Sequence, residues 1–406
     1  MWQKLLGILV RKWSRRWENN VSDAKGAPGG VTKIVAKGLE GVVATSTTLS
    51  DVRGLEGKLI YRGYDIDELA GKVSFEEASY LLWQGDLPSS KQLAQLKKSL
   101  ASERELPQGV VEYILAAPKD SSPMDILRTC ISMLGLYDYG PIGVEQVELN
   151  RHRQISLTAK IGVIAAYFHR ARRGQSLPPV RKDLGEAAHF LYLLNGQEAG
   201  PEAVATLDMA FVLHADHGMN ASTFAARVCA STLTDIYSAV STAVGTLKGL
   251  LHGGANEGVI HMLQKIGSLE KVDGWVKEQM EQKKKIMGIG HRVYKVLDPR
   301  APHLKRMAEK LTGELGDTKW IQMSERIAQI MHQEKGLNAN VDFYSATVYY
   351  SLGLPTDLFT PIFAVARMAG WTGHILEQWQ DNRLFRPDSE YVGPAVGRKV
   401  VPLAQR

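Results

Sequence analysis

Cysteine is nearly absent: Cys130 and Cys229 are the only two in 406 residues. That excludes a disulfide framework and a thiolate-rich metal site, and it fits a reducing compartment. No run of 18 apolar residues occurs, so no membrane-spanning helix is expected. There is no fixed-period repeat, which argues against a solenoid, and no HExxH zinc motif. Excess charge is scarce outside one segment. The net charge is +6, and within the first twenty residues Lys4, Arg11, Lys12, Arg15 and Arg16 face only Glu18. The remainder carries too little positive excess to support nucleic-acid binding by the body of the protein.

Apolar residues make up 44%, enough for a substantial core in one large domain or two to three ordinary ones. In "MWQKLLGILVRKWSRRWENN", Trp2, Leu6, Leu9, Trp13 and Trp17 recur at helical spacing among basic residues. The pattern predicts a basic amphipathic helix over 1–20, with a Gly/Pro-bearing linker over 21–35. Three readings are open for it: docking on a membrane surface or a partner protein, a cleaved organellar targeting peptide, and packing on the body. The expected location is cytoplasmic, unless this segment directs the chain to an organelle or protein compartment.

From residue 36 the pattern is helical. "SFEEASYLLWQGDLP" opens with a capping box from Ser74 to Glu77 and is stopped by Gly85 and Pro88. "ISLTAKIGVIAAYFHRA", "EAVATLDMAFVLHADHG", "LEKVDGWVKEQMEQKKKIMG" and "TPIFAVARMAGWTGHILEQWQD" repeat the apolar periodicity. The fold class expected is all-α, with a minor β-hairpin near residues 42–64.

Four clusters could carry chemistry. In "LHADHGMNAST", His214 and His217 share a helical face if the helix runs on to Gly218; a metal pair, a polar substrate contact and a capped helix end are all open readings. In "HGGANEG", His252 precedes two glycines and a helix that Asn256 or a neighbour can cap. A histidine at that N-terminus feels the positive end of the helix dipole and is expected to stay neutral, able to donate to a developing enolate. In "MGIGHRVYKVLDPRAPHLK", Gly288 and Gly290 precede His291, Lys295 and Arg300. The GxG lacks a third glycine and a preceding strand, so a dinucleotide fingerprint is poorly supported. The loop suits an anionic ligand or is simply an exposed basic loop. In "NANVDFYSATVYYSLGLP", Asp342 sits among apolar residues: a desolvated general base, a helix N-cap, or both. Arg367 lies inside an apolar helix and is expected to want a carboxylate partner, while Arg386 follows in "FRP".

These segments, in this order, together with "GLEGVVATSTTLS", "LIYRGYDIDELA" and "LLWQGDLP", resemble the citrate synthase family over roughly residues 36–400. The resemblance implies a two-domain helical homodimer: a large domain over 36–254 and 348–406, and a small one over 255–347 that closes on the substrates. It implies condensation of acetyl-CoA with oxaloacetate, then hydrolysis to citrate and CoA, with no metal and no cofactor beyond acetyl-CoA as substrate. Asp342 would take a methyl proton, His252 would donate to the thioester oxygen, and His291 would polarise the ketone. His217, Arg300 and Arg367 would hold oxaloacetate, with Arg386 reaching across from the partner subunit; Gly288, Gly290 and Lys295 would lie near CoA. Gly218 stands where many members carry Glu or Gln. The β-rich N-terminal domain of the NADH-inhibited hexameric type is not matched, so a dimer without that allostery is expected. Two rivals remain at this stage: a 2-methylcitrate synthase using propionyl-CoA, and a non-catalytic scaffold paralogue, which the presence of His252, His291 and Asp342 disfavours.

Overall fold

The computed structural model describes residues 35–405. The expected helix over 1–20 and nearly all of the linker lie outside the described residues. Thr47–Phe385 make one compact unit, and the residues before Thr47 and from Arg386 onward fall in a second.

The main unit is helical. It opens with a three-stranded antiparallel sheet, β1 (Ser50–Arg53), β2 (Lys58–Tyr61) and β3 (Tyr64–Asp65), in the order β1-β2-β3. The hairpin expected near 42–64 therefore begins later and gains a third strand. In β1–β2 the register pairs Ser50 with Tyr61 and Arg53 with Lys58, leaving residues 54–57 as the tip. A short helix α1 (Ile66–Leu69) leads to α2 (Phe75–Gln84). The capping box of α2 is formed by Ser74 and Glu77 as its sequence predicts, and Gly85 ends it in a left-handed conformation.

There follow α3 (Ser90–Ser102), α4 (Gln108–Ala116), α5 (Pro123–Leu134), α6 (Val147–Arg172), α7 (Glu186–Asn195), α8 (Pro201–His214), α9 (Ala221–Ala230) and α10 (Ile236–Leu247). Then come α11 (Ala255–Ile266), α12 (Val272–Glu281), α13 (Ala301–Leu315), α14 (Lys319–Lys335), α15 (Val341–Ser351) and α16 (Phe359–Gln380).

Two long helices, α6 and α16, are buried over most of their length and pack on each other. Helices α9 and α10 pair beside α16, and α5 covers α6 and α10. Helices α11 to α15 pack largely among themselves: α13 and α11 on α15, α12 on α14. One apolar core runs through both groups. The two groups meet where the turn after α8 reaches the loop before α13, with His217 Nε2 3.1 Å from Tyr294 Oη.

Candidate active site

Helix α8 ends at His214, four residues short of the Gly218 that the sequence pattern marks as its end. Asp216 explains the early stop. Its Oδ2 accepts from Ser50 Oγ and from the Gly218 N–H, and lies 3.2 Å from His374 Nε2. Burial pushes the Asp216 carboxyl up, but His374, Arg367 and Ser50 outweigh burial and hold it below its ordinary range. His217 thus lies beyond the helix. Its Nε2 is 3.1 Å from Tyr294 Oη, whereas His214 Nδ1 bonds the Ala210 carbonyl at 2.7 Å. The two imidazoles do not share a metal-binding face. Among the described residues no group of three or more His, Cys, Asp or Glu is arranged for a metal. Burial, then Arg300 and His291, drive the His217 pKa well below the ordinary value, so the ring is neutral.

The helix facing His252 is not the one that follows it. Gly254, not Asn256, is the N-cap of α11, and Asn256 accepts from the Glu257 N–H inside the first turn. The N-terminus aimed at His252 belongs to α9, capped by Asn220. The Ser222 N–H points at His252 Nε2 from 3.3 Å, and Ser222 Oγ lies at 2.8 Å. Ser222 Oγ also takes the Trp371 indole N–H and bonds Asn220 Oδ1. A backbone N–H can only donate, so Nε2 accepts and the proton sits on Nδ1. The His252 pKa does fall, to about 4, through burial first and Arg367 second.

His291 is assigned in the same way, with the opposite result. Its Nδ1 accepts from the N–H groups of Val293 and Tyr294, each at 3.0 Å, which leaves the proton on Nε2. Burial, then Arg300, lowers its pKa to about 4. Its ring centroid is 5.5 Å from that of His217. Gly288 and Gly290 precede it, both with positive φ. The Gly290 N–H is committed to the Asn338 carbonyl, and Asn340 bonds the carbonyls of Gly288 and Gly290. That amide is not free for a phosphate. Lys295 is exposed, with Nζ 3.1 Å from the Arg292 carbonyl.

Asp298 was not singled out from the sequence, although its place before Pro-Arg was visible. Its Oδ1 accepts from Arg300 N and Nε, and its Oδ2 from Arg300 Nη2 and from the Val341 N–H at the start of α15. One buried carboxylate therefore ties Arg300 to the helix that carries Asp342. Asn340 caps α15 by accepting from the Asp342 N–H. The N-cap reading of Asp342 is thus excluded, and its side chain is left for other work. Asp342 Oδ1 is buried without a hydrogen-bond partner. Burial raises its pKa to about 6 against the pull of Arg300 and Arg367.

Arg367 has no ion pair to a carboxylate among the described residues, contrary to the expectation for a buried arginine. Its Nε donates to the His214 carbonyl at 2.6 Å, and its guanidinium lies 4.7 Å from the Phe363 ring centroid. Burial lowers its pKa to about 10, still charged at neutral pH. Phe363, Arg367 and Trp371, at i, i+4 and i+8 of α16, thus contact the surroundings of His214, His252 and Ser222. Arg386 belongs to the second unit, 74% exposed and 3.4 Å from Asp388.

The arrangement joins a carboxylate with a raised pKa, two neutral imidazoles with assigned protons, and two buried arginines, Arg300 paired with Asp298 and Arg367 held by the His214 carbonyl. Residues 38–388 match the family model described as "Citrate synthase, C-terminal domain". The chain belongs to the citrate synthase family.

Among its relatives, "Citrate synthase 2" of Bacillus subtilis is 50% identical over 371 residues, 91% of this chain and 99% of the relative. A protein named 2-methylcitrate synthase from Shewanella oneidensis is 40% identical over 388 residues, 95% of this chain and all of that one. The citrate synthase of Thermoplasma acidophilum, solved as a ternary complex with carboxymethyl coenzyme A and oxaloacetate, superimposes with a TM-score of 0.88 at 31% identity, covering 92% of this chain and 100% of that one. This family member is therefore an acyltransferase that forms a carbon–carbon bond.

Proposed function

We propose that the enzyme condenses acetyl-CoA with oxaloacetate and water to give citrate and CoA, the entry step of the tricarboxylic acid cycle. The observation that carries this reading is the unpartnered, buried Asp342 Oδ1 with its raised pKa, which shares the field of Arg300 with His291 and that of Arg367 with His252. A base for a weak carbon acid needs a pKa near the working pH, and the developing oxyanion needs a donor already in place.

Asp342 takes a proton from the acetyl methyl as the Nδ1–H of His252 hydrogen-bonds the thioester oxygen. The enol carbon attacks the oxaloacetate ketone, whose oxygen is polarised by the Nε2–H of His291 and takes up a proton. His217, Arg300 and Arg367 hold the dicarboxylate. Water then adds to the citryl thioester and CoA leaves as the thiol, so one C–C bond forms and one C–S bond breaks. Closure of the lobe over 255–347 excludes water until the C–C bond is made. Lys295 and the loop at Gly288 to Gly290 border the CoA path, and no cofactor is required.

The second reading is 2-methylcitrate synthesis from propionyl-CoA, favoured by relatives of that name at 38–40% identity. One methylene is worth only about 1–3 kcal/mol of discrimination. Oxaloacetate-dependent CoA release, compared as kcat/KM for the two acyl-CoAs, is expected to favour acetyl-CoA; a clear propionyl preference would replace the first reading.

We also propose a homodimer in which Arg386 of one protomer completes the partner's site, supported by its exposure in the single chain. A monomer in sedimentation with full activity would remove that proposal. The segment over 1–20 is proposed to dock the enzyme on a membrane surface or partner in an otherwise cytoplasmic setting. Deleting residues 1–30 should leave kcat unchanged while altering location or assembly; a large loss of turnover would contradict it.

A further inference from the structure

The small sheet touches the supports of two catalytic histidines at once. At its base, Ser50 Oγ bonds the Asp216 carboxylate and accepts the Gly218 N–H at 3.0 Å. Its register partner Tyr61 donates its hydroxyl to the Asp216 carbonyl at 2.8 Å, and the hydroxyl oxygen accepts the Asp216 N–H at 3.1 Å. These bonds hold the turn on both sides of His217.

At the tip, the Gly54 carbonyl accepts the Lys295 N–H at 3.0 Å. A Cβ on Gly54 would overlap the Val293 carbonyl oxygen and lie 2.9 Å from its carbonyl carbon. Gly54 does not use the left-handed region, so its lack of a side chain serves close approach alone. Gly57 is also tight, with a Cβ position 2.8 Å from Val296 Cγ2. The Val293–Tyr294 peptide unit met by the tip is one of the two that hold His291: its N–H, on Tyr294, donates to Nδ1 alongside that of Val293. Tyr294 in turn reaches His217. A cavity of about 570 Å³ borders Glu56 and Gly57 of the tip together with Val296, Leu297 and His303.

We propose that the β1–β2 hairpin is a positioning element of the active site: its base holds the turn that carries His217, and Gly54 at its tip seats the loop that carries His291. The hairpin thereby sets the spacing of two groups that engage oxaloacetate. This rests on the role given above to His291 as the group that polarises the ketone.

The test is Gly54→Ala, with Gly63→Ala as control. Gly63 lies in the neighbouring turn at φ 93°, with open space around its Cβ position, so that variant carries a backbone cost without touching the His291 loop. The readouts are kcat, the KM for each substrate, and the infrared stretching frequency of the bound oxaloacetate ketone, measured with whichever acyl-CoA the wild type prefers. Gly54→Ala is expected to lose about 10–100-fold in kcat, to raise KM for oxaloacetate but not for the acyl-CoA, and to show a weaker shift of the carbonyl band. Gly63→Ala should match the wild type in all three. Equal behaviour of the two variants overturns the proposal, as does a loss of kcat with an unchanged carbonyl band. If Gly54→Ala does not fold, Gly57→Ala decides. It should show the same pattern more weakly, since the Val296 side chain can give way, and identity with Gly63→Ala overturns the proposal. A wild type without oxaloacetate-dependent CoA release would defeat the functional reading itself, and the proposal with it.

Discussion

Replacing Asp342 by Asn should damage the reaction and stabilise the protein in one step. The substitution keeps the shape and removes the charge. Holding this carboxyl at about 6 rather than its ordinary 3.8 costs the folded enzyme about 3 kcal/mol at neutral pH. The folded-state pKa is raised, so the protonated form is favoured in the native protein. The stability this confers is complete below pH 3.8 and is lost as pH rises through about 6. Asp342→Asn should therefore melt higher than the wild type above pH 6, with the gain fading toward pH 4. Losing a general base costs about 10²–10⁴-fold in rate, which steady-state release of CoA will show. In the wild type, kcat/KM should fall on the acid side with a midpoint near 6, to about a tenth of its plateau at pH 5, where an unperturbed carboxylate would still be mostly ionised. His252 and His291, both near 4, should add no titration above pH 5. A variant that loses stability along with activity would mean that Asp342 is structural. A profile flat down to pH 5 would refute the raised pKa.

Ser222→Ala keeps the backbone donor to His252 but removes the hydroxyl at 2.8 Å and the acceptor for Trp371. Turnover should fall about tenfold with KM for oxaloacetate unchanged, and an unchanged kcat would show that the N–H alone orients the ring. Asp208 is held up to about 7, chiefly by burial and then by Glu76, and accepts the Phe75 N–H at 3.2 Å. Its raised pKa confers stability that is present below pH 3.8 and gone above about 7. Asp208→Asn should therefore raise the melting temperature at pH 8 and leave it unchanged at pH 4; a loss at pH 8 would mean that the charge is needed.

Much of this was legible in the sequence because local signals and tertiary demands agree. The Ser74–Glu77 box starts α2, and the apolar period of α16 survives into the structure. Helix α6 starts at Val147, well before its apolar stretch, because Asn150 and Arg153 are buried yet satisfied by Gly143, Pro141 and Asp138. Polar residues with distant partners hide a helix from periodicity. Helix α12 does the reverse. Its expected continuation through "KKKIMG" ends at Glu281, and Lys283 turns to φ 52°, outside the helical region. At the site, residue types and order single out His217, His291, Arg300 and Asp342, which the structure links through Tyr294 and Asp298. Histidine proton positions did not follow from sequence, because they depend on backbone donors remote in the chain or unpredictable in their turn, such as Ser222 for His252. Asp298 and Tyr294 carry no sequence signal for a related reason: their work is to hold other residues, and a supporting residue has no motif of its own.

Helix α16 carries Phe363, Arg367, Trp371 and His374 on one rigid rod. A rod transmits error as faithfully as it transmits order. A single residue inserted between Phe363 and Trp371 would turn everything beyond it by about 100° and advance it by about 1.5 Å. It would leave the composition and the helix intact while sending Trp371 away from Ser222 and His374 away from Asp216. A point substitution in this helix changes the contacts of one side chain, whereas a change in length changes all the later ones together. Variation in this part of the protein is thus confined to exchange of side chains, and insertions or deletions are admissible only past its ends.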